Sequence, residues 1–311
     1  MSFTCGCVSK KGMKATEDAY VVQTFKNAGA IPLLVSNVPE YCVTLHTYNF
    51  LFGHTMNPYD TRKTSGGSSG GETALISSGA SVLGIGTDLV GSLRIPSFFT
   101  GIFTHKPTAG TIPLDGHFFL VDDPMFKQML TIGPIARYVE DLYLSMKVLA
   151  ASPACRLPPL FDEPVDIKNL KFYYFDSISS IFGIRSTTSE IKETIHKAKQ
   201  YLITKGATNK LSKAELTLRL NTMLKDNGVL ICPTWCRTAS FPQMMLWEAH
   251  CSIYTALANM TSTPATQIPM GFSKDGIPLG FQVISASYQD HLCLAVAREF
   301  EKNYYGWVPP S

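Results

Sequence analysis

Two serines set in glycine carry the chemistry legible in this chain. One lies in Gly66-Gly67-Ser68-Ser69-Gly70-Gly71, the other in Thr87-Asp88-Leu89-Val90-Gly91-Ser92-Leu93-Arg94. Glycine has no Cβ, so backbone of this composition turns sharply and can aim successive N–H groups at one point. A hydroxyl beside such a nest is a nucleophile next to a place for negative oxygen, and a second hydroxyl can help it. Acyl transfer is the chemistry this pairing favours. A phosphate-cradling loop would end in Gly-Lys-Ser/Thr, whereas this run ends Gly70-Gly71-Glu72, with an acid where phosphate would sit. The run also fits Gly-x-Ser-x-Gly, but a nucleophile elbow follows a strand, and 59–65 reads as polar loop. His250 and His291 are the histidines a triad would have to draw on. A glycine loop without chemistry is the plain alternative.

The elements that must position these serines follow from hydrophobic periodicity. Helices are predicted over 18–27, 72–81, 140–151, 189–205 and 291–300, with a Glu193–Lys197 pair on the solvent face of the fourth. Strands are predicted over 31–35, 82–87, 170–175, 228–233 and 277–284, the second apolar on both faces and therefore central. Between them, 37–59 reads as an aromatic loop ending in Asn57-Pro58-Tyr59-Asp60. Strands alternating with helices argue for an α/β fold with a largely internal sheet, and no repeat or linker divides the chain. A single domain over 1–311 is expected.

Composition narrows the partners. The chain is 45% hydrophobic and 16% charged, which speaks against disorder and leaves apolar surface for a lipid site or an interface. A net charge of +3, with no basic cluster interleaved with aromatics, argues against nucleic acid. Eight cysteines are scattered, and neither Cys5-Gly6-Cys7 nor Cys232 to Cys236 has zinc-site spacing, so free thiols in a reducing compartment are expected and no metal. There is no signal peptide and no apolar run of about 20 residues. The expected location is cytoplasmic or peripheral to an intracellular membrane.

Longer motifs sharpen the reading. Asn49 to Asp60, the run Gly66 to Gly71, and Gly86-Thr-Asp-Leu-Val-Gly-Ser-Leu-Arg94-Ile-Pro96 together resemble the amidase signature family. Within it they resemble most the animal fatty-acid amide hydrolases, the second form above all. Ser36 to Glu40, Gly101 to Thr108, Gly133 to Asp141, Pro264 to Gly271 and Gly276 to Gln282 agree in order, so the likeness covers nearly the whole chain. The resemblance implies a central mixed, twisted sheet covered by helices on both faces. It implies a serine amidase acting on fatty-acid amides, with no cofactor, as a homodimer in peripheral contact with a membrane.

By the same resemblance Ser92 is the nucleophile and Ser68, on a cis peptide, is the bridging serine. A neutral lysine takes the proton from Ser68. Leu89, Val90 and Gly91, with the Ser92 amide, form the oxyanion hole; Asp88, Arg94 and Ser69 support the loop; Cys42 and Thr87 line the substrate pocket. The sequence departs from its relatives in three places. Their lysine lies in an apolar-Lys-acid stretch upstream of the segment matching Met1 to Tyr20, so an N-terminally truncated chain is expected; Lys10, Lys11 and Lys14 read as solvated surface. Val90 stands where relatives have glycine, and a β-branched residue resists positive φ. The stretch 206–224 is shortened where relatives build acyl-channel and membrane-facing helices. A non-catalytic relative that binds acyl chains is therefore the alternative function. The amidase component of a tRNA-dependent amidotransferase is a more distant one.

Overall fold

The apolar runs of the chain meet in one eight-stranded mixed sheet. The computed structural model describes residues 1–118, 122–178, 185–207, 211–213, 220–304 and 306–310. Short hairpins come first: β1 (Tyr48–Asn49) with β2 (Gly53–His54), and β3 (Met56–Asn57) with β4 (Asp60–Thr64). The main sheet contains β5 (Leu83–Asp88), β6 (Phe103–Lys106), β7 (Thr131–Ala136), β8 (Lys171–Tyr174), β9 (Leu211–Lys213), β10 (Gly228–Cys232), β11 (Ala265–Phe272) and β12 (Pro278–Ser285). Its order is β5-β7-β6-β11-β12-β10-β8-β9, antiparallel from β5 to β10 and parallel from β10 to β9.

The helices are α1 (Tyr20–Asn27), α2 (Gly70–Ser77), α3 (Arg94–Phe99), α4 (Pro124–Met129), α5 (Val139–Ala150), α6 (Ser189–Thr204), α7 (Leu220–Met223), α8 (Ile253–Met260) and α9 (Asp290–Tyr304). Strand β10 shows how they divide. Successive strand residues point to opposite faces, and Val229 and Ile231 pack with α1, α5, α6 and α9. Leu230 and Cys232 join the other core, with α3 and α8. A strand buried on both faces needs no polar alternation, which is why 228–232 is continuously apolar. Among the described residues no helix is long and apolar enough to cross a membrane.

Several expectations change. Residues 31–35 form no strand: Pro32 offers no N–H to a ladder, and Ile31 and Leu33 are 80% and 71% exposed. The strand predicted at 82–87 exists as β5, but at the edge, paired among the described residues only with β7. Its apolar look comes from α2 lying over it, with Glu72 against Gly84 and Ser69 against Gly86. The supposed loop 59–65 contains β4, a strand of the small β3–β4 sheet. Helix α6 carries the expected Glu193–Lys197 pair at 2.9 Å. Much of 206–224, the shortened stretch, lies outside the described residues.

The deeper core is held by aromatics from distant segments. Phe300 of α9 is fully buried, with ring centroids 5.0 Å from both Phe281 of β12 and Tyr201 of α6. Phe300→Ala is expected to destabilise the protein by about 3–5 kcal/mol, because its ring neighbours belong to two other elements that cannot both collapse into the hole. Urea unfolding would show a lower midpoint with little change in slope.

Candidate active site

The turn after β5 is built around one buried carboxylate. Asp88, the last residue of that strand, accepts from the Gly91 amide at 2.7 Å and the Leu93 amide at 3.2 Å. It is gripped in turn by Arg94, whose Nε and Nη2 donate to its two oxygens at 3.0 and 3.1 Å. Both side chains are completely buried. Arg94 Nη1 donates to Gln282 Oε1 at 2.8 Å, and Nη2 also to Asn259 Oδ1 at 2.6 Å. Asn259 Nδ2 donates back to Asp88 Oδ1 at 3.0 Å, and Gln282 Nε2 to the carbonyls of Pro233 and Tyr254. Burial alone would push the Asp88 carboxyl up, but the Arg94 guanidinium outweighs it and holds the group below the usual carboxylate range. The loop is thus tied to β12 and α8, through residues 188 and 165 positions from Arg94.

This frame sets the backbone around Ser92, which is 8% exposed. Gly91 adopts φ 132°, where a Cβ would run into Thr255 Oγ1 and Ile95 Cδ1, so glycine is required there. Val90 has no positive φ, and its carbonyl accepts from Thr255 Oγ1 at 2.5 Å. The β-branched residue therefore sits without the strain expected of it. The Gly91 N–H, expected among the oxyanion donors, is already committed to Asp88. Among the described residues the amides of Leu89, Val90 and Ser92 have no acceptor.

The glycine run is fixed separately and then tied to Ser92. Thr47 Oγ1 donates to the Gly66 carbonyl at 2.9 Å and accepts from the Gly70 amide at 3.2 Å. A Cβ on Gly67 would approach the Thr44 carbonyl to 2.6 Å, so the chain passes that loop only as glycine. The Gly67–Ser68 peptide is cis. The Ser69 amide donates to the Ser92 carbonyl at 3.2 Å, bringing the two serine turns together. Ser68 is 3% exposed, and its hydroxyl helps hold the Cys42 thiol below its ordinary range. Thr87 lies beside Asp88 on β5, partly buried and paired with Ile132.

Two further groups stand out. Burial, helped by the Arg94 charge, pushes the Lys106 ammonium down to about 7, and its Nζ donates to the Pro107 carbonyl at 2.9 Å rather than to a serine. Cys42 Sγ lies 3.6 Å from Cys5 Sγ. Of the residues that hold the site, Gln282 fell inside a matched motif of the sequence. Asn259, Thr255, Thr47 and Cys5 carried no signal there, since each acts only through folding from a distant segment.

The amidase family model matches residues 1–169 and 164–294. The chain is 30% identical to human fatty-acid amide hydrolase 2 over 395 aligned residues, covering 100% of this chain and 74% of that protein. It is 29% identical to fatty-acid amide hydrolase 2-B of Danio rerio, covering 98% of this chain and 73% of that protein. A glutamyl-tRNA(Gln) amidotransferase structure from Thermotoga maritima superposes with a TM-score of 0.85 at 22% identity, covering 100% of this chain and 82% of that one. A 6-aminohexanoate cyclic dimer hydrolase gives 0.80 at 20%, covering 99% and 82%. These two structures share the mixed sheet flanked by helices.

Removing the guanidinium tests the buried frame. Arg94→Met leaves Asp88 as an unpaired buried carboxylate and is expected to cost about 3–5 kcal/mol at pH 7. The depressed Asp88 pKa contributes stability above the unfolded carboxylate value of about 3.9 and loses it as the pH falls through the lower folded value. The difference between wild type and variant, followed by denaturation across pH, should therefore narrow on acidification.

Proposed function

The chain belongs to the amidase family, hydrolases of amide C–N bonds, and on that premise we propose that it cleaves fatty-acid amides through an acyl-enzyme on Ser92. The observation that carries this reading is the union of the two serine turns. The Ser69 amide on the Ser92 carbonyl sets a nucleophile candidate beside a second, cis-linked serine. Ser92 Oγ attacks the amide carbon, Ser68 relays the proton, and the same proton returns to the nitrogen as the amine leaves. The Leu89, Val90 and Ser92 amides receive the developing oxyanion, each such donor being worth about 10²–10³ in rate. Asp88 and Arg94 hold those donors in place, and Cys42 and Thr87 lie toward the acyl group. The fatty-acid substrate class rests on likeness to relatives whose names state it.

A second reading is favoured by one observation. The buried Lys106 amine donates to the Pro107 carbonyl rather than to a serine. In that reading the protein binds acyl chains and hydrolyses them slowly or not at all. In the first reading the Cys42 sulfur is the next proton acceptor beyond Ser68.

A fluorophosphonate probe, which reacts only with an activated serine, decides between them. The first reading expects labelling of wild type at Ser92 and none of Ser92→Ala. Ser68→Ala should slow labelling by about 10²-fold or more. Gly91→Ala should also slow it, since alanine is strained at φ 132° and collides with Thr255. An unlabelled, folded wild-type protein would sink the hydrolase reading for this chain.

A further inference from the structure

We infer that Cys5 and Cys42 form a peroxide-sensitive dithiol, and that its oxidation to a disulfide disarms Ser68. The two sulfurs lie 3.6 Å apart although 37 residues separate them. Their loops are fastened backbone to backbone, the Tyr41 amide donating to the Cys5 carbonyl at 3.0 Å. Cys5, Tyr41 and Cys42 all adopt left-handed φ, at 47°, 53° and 58°, a conformation that side-chain-bearing residues rarely hold. Three such residues in one contact mark a junction that its surroundings enforce. Both thiols are only partly buried, so a small oxidant can reach them. Cys236 and Cys251, by contrast, are sealed in the core at 2% and 0% exposure.

The pair is also unequal. The neighbouring Cys5 thiol and the Ser68 hydroxyl hold Cys42 below the ordinary thiol range; Cys5 is pushed up in exchange. A thiolate is the nucleophile toward peroxide, so Cys42 is the sulfur that reacts first and Cys5 the one that resolves. The Cys42 thiolate attacks one oxygen of a hydroperoxide, forming an S–O bond as the O–O bond breaks. The other oxygen takes a proton and leaves as water or an alcohol. Cys5 then gives its proton to solvent and attacks Cys42 Sγ; the S–S bond forms, the S–O bond breaks, and the hydroxyl takes up a proton and leaves as water. Two thiols lose two electrons and one hydroperoxide gains them.

A disulfide needs its sulfurs about 2.05 Å apart, so the pair must close by about 1.5 Å from its reduced separation. The Cys42 sulfur then carries neither proton nor charge and can take no proton from the Ser68 hydroxyl. This last consequence rests on Ser68 acting as the relay; the cross-link itself does not.

The test is peptide mapping of the intact protein before and after treatment with hydrogen peroxide, with fluorophosphonate labelling of Ser92 in parallel. Cys5 and Cys7 share the tryptic peptide Met1 to Lys10, so Cys5→Ser and Cys7→Ser are mapped beside wild type. A Cys42-linked peptide should form in wild type and Cys7→Ser, be absent from Cys5→Ser, and vanish with dithiothreitol. In Cys5→Ser, Cys42 should instead advance to the sulfinic acid, which dithiothreitol does not reverse. Labelling of oxidised wild type should fall by about 10²-fold and return on reduction. Absence of the Cys5–Cys42 link, or a Cys7–Cys42 or Cys236–Cys251 link forming equally fast, overturns the proposal. Should reduced wild type fail to label, the hydrolase reading fails while the linked peptide still decides the dithiol.

Discussion

Everything around Ser92 hangs on the ion pair between Asp88 and Arg94. Two charges fully removed from water are costly unless every remaining donor and acceptor is met. Here they are met: Asp88 takes two loop amides as well as the guanidinium, and Arg94 spreads over Gln282 and Asn259. The pair does more than balance charge. It converts the end of an edge strand, the start of α3, one strand from the far half of the chain and helix α8 into a single rigid corner. The Leu89 to Ser92 amides lie inside that corner, so their direction is fixed before any substrate arrives. In the proposed oxyanion hole, donors preorganised in this way need no rearrangement as charge develops.

The second serine is governed by different physics. Among the described residues no ion pair touches the Gly66 to Gly71 run; sterics and the hydroxyls of Thr47 and Thr64 place it. Gly67 passes the Thr44 carbonyl where no Cβ fits, and Thr47 joins the ends of the turn through one hydroxyl. The two turns are thus set independently and joined by the Ser69 amide. Cys42 approaches from a third loop, whose left-handed backbone is itself held by the segment around Cys5. In the proposed switch the state of those sulfurs reaches Ser68 without passing through the Asp88 corner.

Much of the scaffold was legible. Periodicity placed α1, α5, α6 and α9 and the strands β8, β10 and β12, because long apolar stripes and continuous apolar runs report burial directly. It missed β6, β7 and β11, whose Thr104, Pro134 and Gln267 dilute the apolar signal while being buried. It mistook 31–35 for a strand because apolar composition says nothing of whether a partner edge is present. It also took β5 for a central strand, since a strand covered by a helix and one flanked by two strands read alike.

What the sequence determined is the chemistry available: two serines in glycine turns, an acid and a base around the second, and motifs ordered as in the amidase family. Glycine at 67 and 91 is readable because the absence of a Cβ is a local property. What only the tertiary structure decided is which groups meet. Asn259 and Gln282 became partners of Arg94, Gly91 gave its amide to Asp88, and a cysteine near the start of the chain came to face Cys42. Each contact joins segments between 3 and 188 residues apart, and only packing of the sheet against its helices supplies the desolvation that makes the buried ones strong.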